Sequence, residues 1–197
     1  MKPQTFLAII AIAGLIGSAG VHADPPTLGT PGATTIGEVR VQNFQAYSYA
    51  YVSGPTTIAK IQDAIALLMP KLDAAQDSGA IRPLGPVVFT YHNATMDPNT
   101  PITLDIGVII KDTANKPAGI QFAKVGPLHC ATLLFCGPIA GIGDAYQKLF
   151  TEIAKRGLKP TAITREVYLY WEGADSANNL VQIQADLQPD AGQGPTN

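Results

Sequence analysis

The chain has 197 residues, 46% of them hydrophobic and 14% charged, with a formal net charge of −2. That is enough for one domain of about 150 residues with tails and a sizeable core. The small negative charge argues against a nucleic-acid partner, which calls for a basic surface, and no helix-turn-helix or basic helix is visible.

Residues 1–23 read as an export signal. Lys2 supplies a positive start, Phe6 to Ile16 form an apolar run, and Val21-His22-Ala23 ends the segment at the positions a signal peptidase reads. The run is short of the roughly 20 apolar residues of a comfortable membrane span. Cleavage after Ala23 is expected, with a periplasmic or secreted product. The alternative is an uncleaved anchor, the one contact with a membrane that the sequence offers. Residues 24–36, rich in Thr, Gly and Pro, read as a linker. The expected domain is 37–189, and 190–197 read as a disordered tail.

Val39 to Val52 reads as a strand on which Tyr47, Tyr49 and Tyr51 alternate. Ser53-Gly54-Pro55 then leads into a helix with Ile58, Ile61, Ile65, Leu68 and Leu72 on one face. Thr56 or Thr57 is placed to cap it, and Pro70 should kink it or end it early. Strands are expected at Pro86–His92 and Thr103–Lys111. Asn93-Ala94-Thr95 is a glycosylation sequon, meaningful only in a eukaryotic source. Ile120 to Phe135 reads as a strand broken at Gly126-Pro127. The two cysteines, Cys130 and Cys136, lie six positions apart on it. In an extended strand that is roughly 20 Å, beyond disulfide reach, so two buried free thiols are expected. A second helix carries Ile142, Ala145, Tyr146, Leu149, Phe150 and Ile153 on one face, with Gly157 as its stop. Strands at Thr164–Trp171 and Leu180–Leu187 finish the domain.

The second half repeats the first. Ile61-Gln62-Asp63-Ala64 matches Ile142-Gly143-Asp144-Ala145, and counting from Pro83 and Pro160 pairs Phe89 with Glu166 and Tyr91 with Tyr168. The order βαββ, twice, predicts an α+β fold: an antiparallel sheet, two helices on one face and a ligand cleft between pseudo-symmetric halves.

Thr164-Arg165-Glu166-Val167-Tyr168-Leu169-Tyr170-Trp171 is the most informative segment. Alternation puts Glu166, Tyr168 and Tyr170 on one face, and Ile163, Val167 and Leu169 on the other, which looks like the core face. A carboxylate in line with phenol rings suits a cationic, greasy ligand. The bland alternative is a solvated outer face that carries a Glu. With helices expected over Val167 and Leu169, Glu166, Tyr168 and Tyr170 would face the groove, joined by Phe89 and Tyr91 from the other half and by Tyr49 from the first strand.

Gly137-Pro138 before Ile142-Gly143-Asp144-Ala145-Tyr146, then Leu149, Gly157-Leu158-x-Pro160, Glu166-x-Tyr168 and a last strand ending in Pro189, resembles the GyrI-like domain, the effector-binding module of several bacterial transcription activators. Gly85 to His92 resembles the family's first-half strand. The resemblance covers about residues 37 to 189. It implies an aromatic-lined cleft in which an acid, here Glu166, pairs with cationic lipophilic ligands, and Tyr168 matches the aromatic neighbour. Ile139 departs from the aromatic residue often found after Gly-Pro. Some members hydrolyse small electrophilic natural products with the cleft acid, which makes Glu166 the catalytic candidate if the chain is an enzyme.

Three readings follow: a small-molecule binder, a hydrolase, and a module whose groove receives a peptide or protein with Glu172 and Asp175 on its rim. No phosphate loop, nucleophile elbow or metal-ligand spacing is present, so neither cofactor nor metal is expected. His92 and His129 read as structural residues at strand edges.

Overall fold

Both expected βαββ units form, and they share one sheet. The structure is a computed structural model, and it describes residues 34–95, 97–111 and 117–189. The export signal, the linker up to residue 33 and the tail 190–197 lie outside the described residues. In chain order the strands are β1 (Thr35–Ile36), β2 (Arg40–Phe44), β3 (Tyr47–Thr56), β4 (Pro83–His92), β5 (Ile102–Ile110), β6 (Gln121–Val125), β7 (Leu128–Cys136), β8 (Pro160–Tyr170) and β9 (Leu180–Leu187). Helix α1 (Ile61–Asp77) follows β3 and α2 (Ile142–Lys155) follows β7. The strand order is β1-β7-β9-β8-β4-β5-β3-β6, with β2 also beside β7, and every pairing is antiparallel. The halves β3-α1-β4-β5 and β7-α2-β8-β9 therefore meet at β4:β8, where a pseudo-twofold axis passes. The end of the expected linker is already sheet, since β1 pairs with Phe135 and Cys136.

The strand read as Val39 to Val52 is two strands. They break at Gln45-Ala46, opposite the break expected at Gly126-Pro127, where Pro127 cannot donate a ladder bond. The register nevertheless runs unchanged from Arg40↔Thr132 through Phe44↔Leu128 and Tyr47↔Val125 to Tyr51↔Gln121. The segments β2-β3 and β6-β7 thus form one antiparallel ribbon joining the two sides of the sheet. Each half lends its leading strand to the other, and the sheet is rolled by this exchange.

Helix α1 lies on β3 and β5, and α2 lies on β7. Ile61, Ala64, Ile65, Leu68, Met69, Leu72 and Ala75 are buried from α1, and Ile142, Ala145, Leu149 and Ile153 from α2. Each large apolar side chain buried in this way contributes about 1.5–3 kcal/mol. Beneath them runs the cross-strand row Val52, Ile106, Phe89, Glu166, Ile183 and Leu133. Neither Thr56 nor Thr57 caps α1 with its side chain; a 3-10 turn, Ile58–Lys60, leads in instead, as Ile139–Gly141 does before α2. Pro70 does not end α1. It is exposed, and so is Ala66, whose carbonyl loses its helical donor, so water can take that bond. Gly157, at φ 66°, stops α2 as expected.

Both cysteines are free. Cys130 is buried, and burial with the neighbouring Asp186 carboxylate pushes its thiol up to about 12. Cys136 is only half-buried, because it ends β7.

The face away from the helices has a second, small core of Tyr49, Val88 and Val167. Tyr49 crosses β5 and donates its hydroxyl to the Val88 carbonyl at 2.7 Å. It can do so because residue 107 is glycine. A Cβ there would lie 2.6 Å from the Tyr51 Cβ and 2.8 Å from the Tyr49 ring, and against the Ala50 carbonyl oxygen. Gly107→Ala is therefore expected to destabilise the fold at the upper end of the about 1–3 kcal/mol typical of overpacking. Urea unfolding measures this, and a loss below about 0.5 kcal/mol would show that the Tyr49 crossing is not as tight as described.

Candidate functional site

The centre of the site is the direct cross-strand pair Phe89↔Glu166 at β4:β8. On either side of it Val87 faces Tyr168 and Tyr91 faces Thr164. The pseudo-twofold maps Phe89 onto Glu166 and Tyr91 onto Tyr168, so the two tyrosines flank the acid diagonally. Both reach it: Tyr91 Oη donates to Glu166 Oε2 at 2.9 Å and Tyr168 Oη to the same oxygen at 2.7 Å. A third phenol, Tyr146 from α2, donates to Oε1 at 3.0 Å. The Phe89 ring packs on Tyr168 with centroids 4.9 Å apart, and Trp171 meets Tyr168 edge-on at 5.4 Å.

Glu166 is 5% exposed, and among the described residues no basic side chain bonds it. Burial raises its carboxyl above the ordinary range, while the three phenol bonds pull the other way without cancelling that rise. Burial, reinforced by the Glu166 charge, holds the hydroxyls of Tyr91, Tyr146 and Tyr168 well above the usual tyrosine range. They remain donors at physiological pH. The arrangement is an acid wrapped by aromatic donors, with no basic partner among the described residues.

Glu166, Tyr168, Phe89 and Tyr91 come together, but on the helix side of the sheet and not on its open face. Pairing decides this: Val87, Phe89, Glu166 and Tyr168 share their rows with Val108, Ile106, Ile183 and Val181, and all of these belong to the main core with both helices. Val167 belongs to the second core and Leu169 is exposed, so the strand's apolar face is not the one under the helices. Tyr170 is not in the cluster. The register shifts between Tyr168 and Tyr170, leaving Tyr170 51% exposed with its hydroxyl on Glu172. Tyr49 lies on the opposite face, bonded to Val88. Glu172 is exposed and organises the β8–β9 loop through Tyr170, Ser176 and Asn178. His92 pairs with Asp105 at 2.7 Å, and His129 with Asn43 at 2.7 Å.

Tyr146 is the member that reading β8 does not reveal. Its signal lies in the repeat: Ile61-Gln62-Asp63-Ala64-Ile65 aligned on Ile142-Gly143-Asp144-Ala145-Tyr146 puts Tyr146 where the first half has Ile65. A phenol on the inward face of an amphipathic helix needs a partner.

The loops close the ends alike in both halves. The Ala59 N–H bonds the Pro98 carbonyl at 2.9 Å, and the Ile139 N–H bonds the Ala174 carbonyl at 2.8 Å. Each β-β loop is thereby fastened to the turn that starts its own helix.

A duplicated βαββ sheet with an aromatic, acid-centred middle defines a small-molecule-binding class of domain. The profile of the GyrI-like small molecule binding domain matches residues 37–184, and the chain belongs to that family. No curated protein matches the chain significantly. Among solved structures it is similar to EcmrR. The EcmrR C-terminal domain superposes with a TM-score of 0.62 at 19% identity, covering 77% of this chain and 98% of that one. In the EcmrR–DNA complex the TM-score is 0.66 at 16% identity, and the match spans 77% of this chain but only 57% of the EcmrR chain. SAV2435, bound to tetraphenylphosphonium, superposes with a TM-score of 0.57 at 10% identity over 77% of this chain and 94% of its own. A hydrolase from Listeria innocua gives 0.52 at 10% identity over 77% and 92%. At these identities the likeness is one of fold.

Because the Glu166 carboxyl is raised in the folded state, its ionisation costs stability as pH rises. The contribution is neutral below the unfolded glutamic acid value, about 4.3, and turns unfavourable as pH climbs through the raised folded value. Glu166→Gln removes that titration. The stability difference between variant and wild type is expected to shift toward the variant as pH rises from about 4, then level off. Urea midpoints across pH measure it, and a difference that is flat with pH, or that shifts toward the wild type, contradicts the raised carboxyl.

Proposed function

We propose that the chain holds a hydrophobic, cationic small molecule between its two helices, against the Glu166 carboxylate and the rings of Phe89, Tyr91, Tyr146 and Tyr168. The observation that carries this reading is a buried acid bonded only by neutral phenols. A negative charge in a low-dielectric site without a counter-charge attracts a cation far more strongly than one in water. Aromatic faces add cation–π attraction and apolar burial. Membership of a small-molecule-binding family and the fold shared with SAV2435, which carries tetraphenylphosphonium, support the choice of ligand class. Export through residues 1–23 belongs to the same proposal, and would put the binder outside the cytoplasm.

A hydrolytic role for Glu166 would need a carboxylate oxygen free to take a proton from water. Phenols fill three of its about four acceptor positions, which leaves little room for a water and lowers its basicity, so binding is the reading taken.

Tetraphenylphosphonium and the neutral triphenylphosphine oxide test the charge. Glu166→Gln is expected to weaken the cation by tenfold or more, about 1.4 kcal/mol, and the neutral compound by less than threefold. Isothermal titration reads both, and equal losses for the two would remove the charge from the argument.

Binding of the cation selects ionised Glu166. Its affinity is therefore expected to rise with pH through the raised carboxyl value and then plateau, with proton release on the acid side. Trp171, the one tryptophan of the chain, sits on Tyr168 and supplies a fluorescence readout. Affinity independent of pH across the same range would contradict this step.

A further inference from the structure

A carboxylate offers about four lone-pair positions in its plane. Three bonds already occupy Glu166, two on Oε2 from Tyr91 and Tyr168 and one on Oε1 from Tyr146. One position on Oε1 is left, next to Tyr146. The three donors are not equivalent. Tyr91 and Tyr168 are buried on adjacent strands and related by the pseudo-twofold. Tyr146 comes from α2 and is half-buried, with Phe150 stacked beside it at 6.5 Å.

A cation entering the site meets a full negative charge whose acceptor positions are nearly all taken. A cation without N–H groups loses nothing by this, since charge and rings are all it uses. A protonated amine arrives with donors that were bonded to water. It can place one of them on Glu166, and the remaining acceptors are phenol oxygens, which are weaker. Buried charged donors left without partners are costly.

Resting on the cation-binding reading above, we infer that Tyr146 is a specificity-determining residue: by occupying Oε1 it makes the site select quaternary ammonium and phosphonium ions over protonated amines of the same size. Replacing its hydroxyl with hydrogen opens a second position on Oε1, where an ammonium N–H can bond.

The test uses 1-naphthylmethyltrimethylammonium and protonated 1-naphthylmethylamine at pH 7, titrated calorimetrically into wild type, Tyr146→Phe and Glu166→Gln. Wild type is expected to bind the quaternary ion at least tenfold more tightly than the amine. Tyr146→Phe should narrow that ratio to threefold or less, by tightening the amine relative to the quaternary ion. Circular dichroism checks folding, and if the Phe variant unfolds, Tyr146→Leu, which resembles Ile65 at the matching place in α1, is expected to narrow the same ratio while weakening both ions through loss of the ring. A wild-type ratio below threefold, or a ratio that neither Tyr146 variant changes, overturns the inference. If those results come while Glu166→Gln still loses the quaternary ion, the cation-binding reading stands and only the role of Tyr146 falls. A quaternary ion that wild type does not bind, or that Glu166→Gln binds equally well, removes both.

Discussion

The side-by-side placement of Phe89 and Glu166 on β4 and β8 is the constraint on which the site depends. It sits where the halves meet, so each flanking residue has a counterpart across the pseudo-twofold. Tyr91 and Tyr168, each two positions along its strand, converge on one carboxylate oxygen as a result. A charge buried under two helices would be untenable alone. Phenols make it tolerable because they donate while remaining neutral, and burial keeps them protonated. The acid is bonded by the protein's own phenols, and among the described residues no basic side chain bonds it.

Duplication explains the geometry, and departures from duplication explain the chemistry. A perfectly symmetric pair of halves would put two acids, or two phenylalanines, face to face. Here one half contributes Phe89 and Ile65 and the other contributes Glu166 and Tyr146. One wall is thus apolar and the other carries the acid with its extra donor. The proposed ligand, a lipophilic cation, has the same two aspects, bulk and charge.

The rest of the sheet keeps this middle in place. The ribbon of β2-β3 against β6-β7 rolls the sheet, and the rolled inner face is filled by Tyr49, Val88 and Val167. Arg165, next to Glu166 in sequence, points into that other face and is neutralised by Asp186. Alternation along β8 therefore separates two charged neighbours onto opposite sides of the sheet. One is paired with a carboxylate, and the other is bonded by phenols.

Much of this was legible in the chain. Periodicities of 2 and 3.6 are local properties, so the strands, the two helices, the break at Gly126-Pro127 and the repeat could be read from residue order. Glu166, Tyr168, Phe89 and Tyr91 could be grouped, because alternation and the repeat need no third dimension. Which side of the sheet they occupy could not be read. Ile163, Val167 and Leu169 look like a core face, but a rolled sheet has two cores, and only the pairing of β8 with β4 and β9 tells which one the helices cover. The register shift after Tyr168, which removes Tyr170, is likewise set by the partner strand. The third donor to the acid comes from a helix twenty residues earlier in the chain, and the exchange of leading strands between halves depends on contacts distant in sequence. Local pattern decides what each segment is; packing between segments decides what each side chain meets.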